Sequence, residues 1–321
     1  MKLKLKFGIP VTIAIFTLIV LFSGVYAFNK SINASPESIA LTDTVSQKRF
    51  KDYWYQGLAE ITAYRLEQAR YGEIRQGHAS LVFVTEPFSK RKQVKLDNPS
   101  AARNDQIPIL KLNLTKKFKT GIYPYSMMSS TFTPVQAAPN AHALKITGTS
   151  QEWCGQTFMQ INNRDNDFAV QLRSYFESEG DENFTLQKTW LEDELWSLIR
   201  LDPDRLPVGN LTIIPGVFYT RLRHTPFEAI AATAILDNHV SDPTLKTYTL
   251  DYPQQSRRLK IHFQSNFPYV IQGWEETHPS GFGSPQLLTT KAIAIKTILS
   301  DYWKRNRNSD GKLREELGLP I

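Results

Sequence analysis

Residues Phe168-Ala169-Val170-Gln171-Leu172-Arg173-Ser174-Tyr175-Phe176 decide the fold class, because their polarity changes with a period of two. Phe168, Val170, Leu172, Ser174 and Phe176 share one face, and Gln171 and Arg173 lie on the other. A strand with one face in a core and one in water reads this way. The same alternation recurs downstream. Leu259, Ile261 and Phe263 alternate with Arg258, Lys260 and His262, and Tyr248, Leu250 and Tyr252 alternate with Thr247, Thr249 and Asp251. Weaker versions occupy residues 58–67, 78–85, 109–115, 144–150, 184–190, 211–222 and 268–275, with a long β-like run near 287–303. The pattern predicts a mainly β protein, built as a large antiparallel curved sheet in a sandwich or partly open barrel with few short helices.

Turn chemistry connects the runs. Gly72 and Gly77 bracket Glu73-Ile74-Arg75 as tight reversals, Glu177 to Asn183 links two alternating runs, and Gly281-Phe282-Gly283-Ser284-Pro285 precedes the long C-terminal run. Helical periodicity is confined to two places. Leu191, Leu195 and Leu198-Ile199 fall on one face before Pro203, and Ser309 or Asp310 caps a short helix through Leu317, stopped by Gly318. The Ala-rich residues 226–236 fit helix or strand.

At the N-terminus Lys2, Lys4 and Lys6 precede Phe7 to Phe28, a run without a charged residue. A basic start followed by an apolar core is the pattern of a secretory signal or an uncleaved anchor helix. Val25 and Ala27 are small enough to permit cleavage after Ala27. The expected organisation is residues 1–27 as signal peptide or membrane anchor, 28–49 as a flexible tether, and 50–321 as a single large antiparallel β domain. The last part is then delivered to the exported side of the inner membrane.

Composition agrees with a packed chain: 41% of residues are hydrophobic and 21% charged, which excludes extended disorder. The formal charge is +7, of which the three N-terminal lysines supply three, leaving 7 − 3 = +4 on residues 28–321. No basic stripe is concentrated anywhere, so nucleic acid is not an expected partner. The single cysteine, Cys154, excludes a disulfide framework. Glu152 opposes formation of a thiolate beside it, so Cys154 is expected to be buried and unreactive against Trp153.

Several stretches carry a resemblance. Gln68-Ala69-Arg70-Tyr71-Gly72-Glu73-Ile74, Thr115-Lys116-Lys117-Phe118, Gly121-Ile122-Tyr123-Pro124-Tyr125-Ser126-Met127-Met128 and Gln151-Glu152-Trp153-Cys154-Gly155 are among them. So are Ser174-Tyr175-Phe176-Glu177-Ser178-Glu179, Gly281-Phe282-Gly283 and Leu288-Thr289-Thr290-Lys291-Ala292. Together, over about residues 50–318, the chain resembles a Gram-negative envelope family whose members commonly carry the label septum formation inhibitor Maf. The resemblance implies attachment to a membrane. Members are commonly lipoproteins, and this chain departs from them in having no cysteine near residue 27. Genuine Maf proteins are cytoplasmic nucleoside-triphosphate pyrophosphatases with a Ser-Ala-Ser-Pro-Arg-Arg-like motif. Asn33-Ala34-Ser35-Pro36-Glu37-Ser38 lacks both arginines that would hold phosphates, so pyrophosphatase activity is not expected.

No phosphate-cradling glycine loop, His-Glu-x-x-His or Gly-x-Ser-x-Gly motif is present, and the six histidines are scattered singly. No metal or cofactor is expected. Glu177, Glu179, Asp181 and Glu182 lack the spacing of a calcium loop and read as a solvated hairpin tip. The ligand site expected from the sequence is one apolar cleft lined by Tyr123, Tyr125, Met127 and Trp153, with Glu73 or Glu152 at its mouth. Pro124 holds Tyr123 extended and removes a ladder donor, and the methionines offer a deformable wall. An apolar or lipid-like ligand fits such a wall, and a structural envelope role remains beside it. An envelope hydrolase with unassigned catalytic residues is the alternative.

Overall fold

A computed structural model describes residues 44–136 and 141–320. Its strands form one 15-stranded sheet, and they follow from the period-two runs. In β13 (Arg257–Gln264) Leu259, Ile261 and Phe263 are buried while Arg258 is exposed. In β12 (Leu245–Tyr252) Tyr248, Leu250 and Tyr252 point inward. Along these two strands each inward side chain alternates with one that keeps its polar atoms wet, as a sheet covered on one face requires.

The first half of the chain is a meander: β1 (Ala59–Arg70), β2 (Glu73–Ser89), β3 (Gln106–Thr120), β4 (Tyr123–Pro134), β5 (Lys145–Glu152), β6 (Gly155–Asn163), β7 (Asp167–Arg173) and β8 (Asp181–Gln187). The second half returns through β9 (Trp190–Leu191), β10 (Gly209–Ile214), β11 (Ile230–Asn238), β12, β13, β14 (Ile271–Ser280) and β15 (Gln286–Ser300). The order in the sheet is β8-β7-β6-β5-β4-β3-β2-β1-β15-β14-β13-β12-β11-β10-β9. All pairs are antiparallel except β9 with β10. The two edges, β8 and β9, are therefore neighbours in sequence, joined by Lys188-Thr189 alone. Three residue steps span at most about 11 Å, so the sheet must curl until its edges nearly meet. The result is a large, curved, open sheet that approaches a barrel.

Helix α2 (Glu192–Leu201), preceded by helix α1 (Thr44–Trp54), fills the interior. α2 leaves the sheet at β9 and lies against β3 and β4, burying Leu195, Trp196, Leu198 and Ile199. Arg200 donates to both carboxylate oxygens of Glu60 on β1, at 2.6 Å through Nη2, and its guanidinium stacks on Trp54 and Phe83. The outer face of β1 is also covered: Ala59, Ile61 and Ala63 pack beneath Leu317 and Leu319, which follow the short helix α4 (Lys312–Glu316).

Four local expectations are corrected. Residues 211–222 are not one strand: β10 ends at Ile214, and Pro215-Gly216 redirects the chain into helix α3 (Val217–Arg223). Strand β7 ends at Arg173, leaving Ser174 and Phe176 in the following loop. Gly77 is not at a reversal; it lies inside β2 opposite Phe118, where an added Cβ would stand 2.2 Å from the Lys117 carbonyl oxygen. Helix α1 begins at Thr44, so regular structure starts inside the stretch read as a tether. Of the Ala-rich residues 226–236, those from Ile230 onward belong to strand β11, and 226–229 are the irregular lead into it. Among the described residues no helix is long and apolar enough to cross a membrane. The signal or anchor run of residues 1–27 lies outside them.

Candidate functional site

Gly148 on β5 lets α3 approach the sheet. A Cβ there would stand 2.9 Å from Val217 Cγ2. The helix is pinned from beneath: the Asp193 side chain accepts the Val217 N–H at 3.0 Å, where α3 begins. Between α3 and the inner face of β4 to β8 lies a cavity of about 830 Å³. Met127, Met159, Leu172, Phe184 and Phe218 form its apolar walls. Period-two alternation aims Met127, Met159 and Leu172 inward from three different strands.

One end of the cavity is polar. The β7–β8 loop and the C-terminus of α3 meet there through Glu179, which pairs with His224 Nδ1 and lies 3.8 Å from Arg221. Arg221 also donates to Thr157 Oγ1 at 3.0 Å and stacks on Phe176. Burial works to raise the Glu179 carboxyl, but hydrogen bonds from Ser174 and His224 and the charge of Arg221 hold it below its ordinary value. Glu179 is thus a clasp between loop and helix and not part of a solvated tip, which corrects the reading of that acidic cluster. His224 closes α3 with φ 52°, a left-handed C-cap.

Deeper inside sits a buried ionic group. Arg257 on β13 donates to Glu192 of α2 at 2.5 and 2.7 Å and to Glu276 of β14 at 2.8 Å, while Tyr252 donates to Glu192 at 2.6 Å. Burial alone would raise the Glu276 carboxyl; Arg257, followed by Lys116, overcomes it and holds that carboxyl at about 2. Asp193 has no such cation bonded to it, and burial followed by the neighbouring Glu192 pushes it up to about 7. Lys116 is buried too, its ammonium 5.5 Å from the Phe218 ring, and burial lowers its pKa. This group ties α2 and the start of α3 to the sheet, and so fixes the cavity wall. No group of three or more side chains among the described residues is placed to hold a metal ion.

The six residues expected to form the cleft are divided by the structure. Met127 lines the cavity. Tyr125, two residues earlier, is core: it is 2% exposed, stacks on Phe118 at 4.8 Å, and its hydroxyl meets Arg70 Nη2 at 3.1 Å and the Tyr71 hydroxyl at 2.9 Å. Tyr123 packs beside it with ring centroids 5.8 Å apart, and Trp153 lies 6.4 Å beyond Tyr123 in the β5–β6 turn, largely exposed. The aromatics are together, but they cluster at the hairpin ends and do not line the cavity. Glu73 is exposed on β2 and pairs with Arg75 at 2.8 Å. Glu152 accepts the Cys154 N–H at 2.6 Å.

Cys154 itself is exposed, which corrects the expectation of burial. A two-residue turn leaves no core for it to enter. Its hydrogen bond to Glu152 raises the thiol pKa, as the neighbouring carboxylate led one to expect. Arg221 and His224, missed from sequence, and Glu179, read there as part of a solvated tip, are brought together only by the loop crossing onto α3. Arg221, inside the run 211–222 read as strand, and His224, just beyond it, had no visible partner. The Pro215-Gly216 break and the two arginines of a last turn were the available signal for α3.

No family model matches this chain, and no curated protein sequence does. Among solved structures it is similar to a crystal structure of a beta-barrel-like protein of a domain of unknown function, DUF1849, from Brucella abortus, with a TM-score of 0.44 and 10% sequence identity over 76% of this chain and 98% of that chain.

Proposed function

We propose that this protein binds one apolar or amphiphilic, lipid-like molecule in the cavity between α3 and the inner face of β4 to β8. The supporting observation is the pairing of a volume of about 830 Å³ with apolar walls and a polar end. Ligand pockets commonly measure about 300–1,000 Å³, with apolar walls and a few orienting polar groups. Met127 and Met159 give the wall unbranched side chains that adapt to a flexible chain. Arg221, Glu179 and His224 stand where the head of an amphiphile would lie. The uncharged run after Lys2, Lys4 and Lys6 supports work on the exported side of the inner membrane, tethered or released there.

The hydrolase alternative draws on one feature, the Glu179–His224 pair. Among the described residues the His224 ring contacts Glu179 and Arg221, and no hydroxyl is bonded to it as a nucleophile would be. Binding is therefore the better-supported function.

The test is uptake of a fluorescent fatty acid, cis-parinaric acid, by wild type and by Leu172→Trp. The larger side chain fills the cavity from β7. Saturable uptake by wild type, lost in a variant that melts as wild type does, is the expected outcome. No uptake by wild type, or equal uptake by both, overturns the proposal.

A further inference from the structure

The meander puts alternate turns at opposite ends of the sheet. At one end lie Tyr71-Gly72, Gly121-Ile122, Trp153-Cys154, residues 174–180, 253–256 and 281–285. Five of these six turns contain no charged residue; the exception, 174–180, carries Glu177 and Glu179. The long connection 90–105 at the other end alone holds seven charged side chains, Lys90, Arg91, Lys92, Lys95, Asp97, Arg103 and Asp105.

The charge-free turns expose large apolar side chains. Ile122 is 82% exposed, Trp153 69% and Phe282 83%, with Tyr175 at 67% in the remaining loop. At the opposite end Val208 and Val240 are exposed to a similar degree but are aliphatic, and the aromatics there, Tyr55, Tyr302 and Trp303, are less exposed, at 48%, 38% and 45%. The exposed tips are not loose. Phe282 stacks on Tyr71 at 5.3 Å, Tyr71 bonds to Tyr125, and Trp153 packs toward Tyr123, so one aromatic ladder braces three turns. The Cα atom of Gly281 lies 3.5 Å from where a Cβ on Gly72 would stand, so two of the tips touch.

From these observations we infer that this rim docks onto a lipid bilayer surface, with Ile122, Trp153 and Phe282 seated among the headgroups. Separate protruding side chains, spread over several tips, suit a planar surface and leave no pocket for a protein anchor. Trp, Tyr and Phe are the residues that settle at a membrane–water interface, and a turn without charge enters that region at little cost. Exposed Lys117 and Lys119 follow on β3 behind Ile122, placed to meet anionic headgroups. The cavity is lined at this end by Ser178, Glu179 and Pro226, so docking would bring its mouth to the lipid. The docking inference goes beyond the binding function and stands without it.

Cys154 provides the test, as the sole cysteine and an exposed neighbour of Trp153. A nitroxide is attached there in the full chain, reconstituted into phosphatidylcholine–phosphatidylglycerol vesicles. Its collision rates with dissolved oxygen and with a water-soluble nickel chelate are measured. The expected result is a shift toward oxygen, relative to a nitroxide at Ser100→Cys in a Cys154→Ser background, on connection 90–105. That shift should be lost in Ile122→Ser/Phe282→Ser, whose cis-parinaric acid uptake from solution should stay at the wild-type level. Two results overturn the inference: equal chelate access at both positions, or a shift that appears without vesicles and grows with protein concentration, which would mean that a second copy covers the rim. Loss of uptake in wild type with the oxygen shift intact would remove the binding function and leave docking standing.

Discussion

Arg257→Met asks whether the buried ionic group holds the interior helices in place. Arg257 is 3% exposed and pairs with Glu192 and Glu276, themselves 5% and 7% exposed. Methionine replaces much of the side-chain stem, so what is lost is mainly charge pairing and not volume. Removing one partner from a buried pair costs about 3–5 kcal/mol, and here two carboxylates lose their cation, which places the expectation near the upper end. A second handle gives a similar size. Holding Glu276 at about 2 against an ordinary 4.5 corresponds to about 3 kcal/mol of preference for the charged form. The sign with pH follows. The wild-type Glu276 contribution is fully present above pH 4.5 and is lost as pH falls through about 2. In the variant Glu276 keeps only the charge of Lys116, which is not bonded to it, and takes up a proton more readily, so the gap between the proteins should be widest near pH 7 and shrink toward pH 4 and below. Urea unfolding followed by tryptophan fluorescence at several pH values measures this, provided the slope with urea is unchanged. A loss under about 1 kcal/mol at pH 7, against the expected cost of breaking a buried pair, would refute the reasoning. So would a loss that grows on acidification.

Further outcomes are expected elsewhere in the fold. Gly77→Ala should destabilise by about 3 kcal/mol or more, because its Cβ meets backbone that cannot swing away; an unchanged melting temperature would contradict the packing of β2 on β3. Tyr125→Ala should cost about 3–5 kcal/mol, and Tyr125→Phe, which removes only the hydroxyl, about 1 kcal/mol. Chemical denaturation reads both, and a Tyr125→Ala protein of wild-type stability that takes up no probe would move the site to the aromatic cluster. With its carboxyl raised to about 7, Asp193 makes the folded state bind the extra proton between about pH 4 and 7, so wild-type stability falls as pH rises through that window. Asp193→Asn should flatten that part of the stability–pH curve while keeping an acceptor for the Val217 N–H. Glu152→Gln should speed alkylation of Cys154 near pH 7, measured with iodoacetamide, because the carboxylate that raises the thiol is gone; an equal rate would show that Glu152 has no hold on it.

Fold class was legible in the sequence because strand alternation is a local code. A residue two positions from Leu259 lies on the same face wherever the strand is later placed, so Ile261 and Phe263 announce a core before any partner is known. The α2 helix was legible for the same reason, its leucines falling on one face between β9 and Pro203. Curvature was left open between a sandwich and an open barrel. That choice depends on which strands pair across the chain, and only the contact of β1 with β15 and the short link between β8 and β9 decide it.

The candidate site was less legible, for a physical reason. Met127 could be picked out, since an unbranched apolar residue beside a proline-stiffened segment is a local signal. Tyr125 bears the same local signature yet is held in the core by Arg70 and Tyr71, 55 and 54 residues away in the chain. Cys154 and Trp153 looked like a buried pair until the turn between β5 and β6 placed both outside. Glu179, Arg221 and His224 are joined across more than 40 residues, and Arg257 with Glu192 across 65. Local periodicity says which face a residue takes, but the identity of what stands opposite depends on the register of distant strands and the path of the chain between them. The amino-acid sequence therefore determined most of the strands and their buried faces, while tertiary structure alone decided where residues 211–222 break into helix, which charges meet in the interior, where the cavity opens and which aromatics are left at the rim.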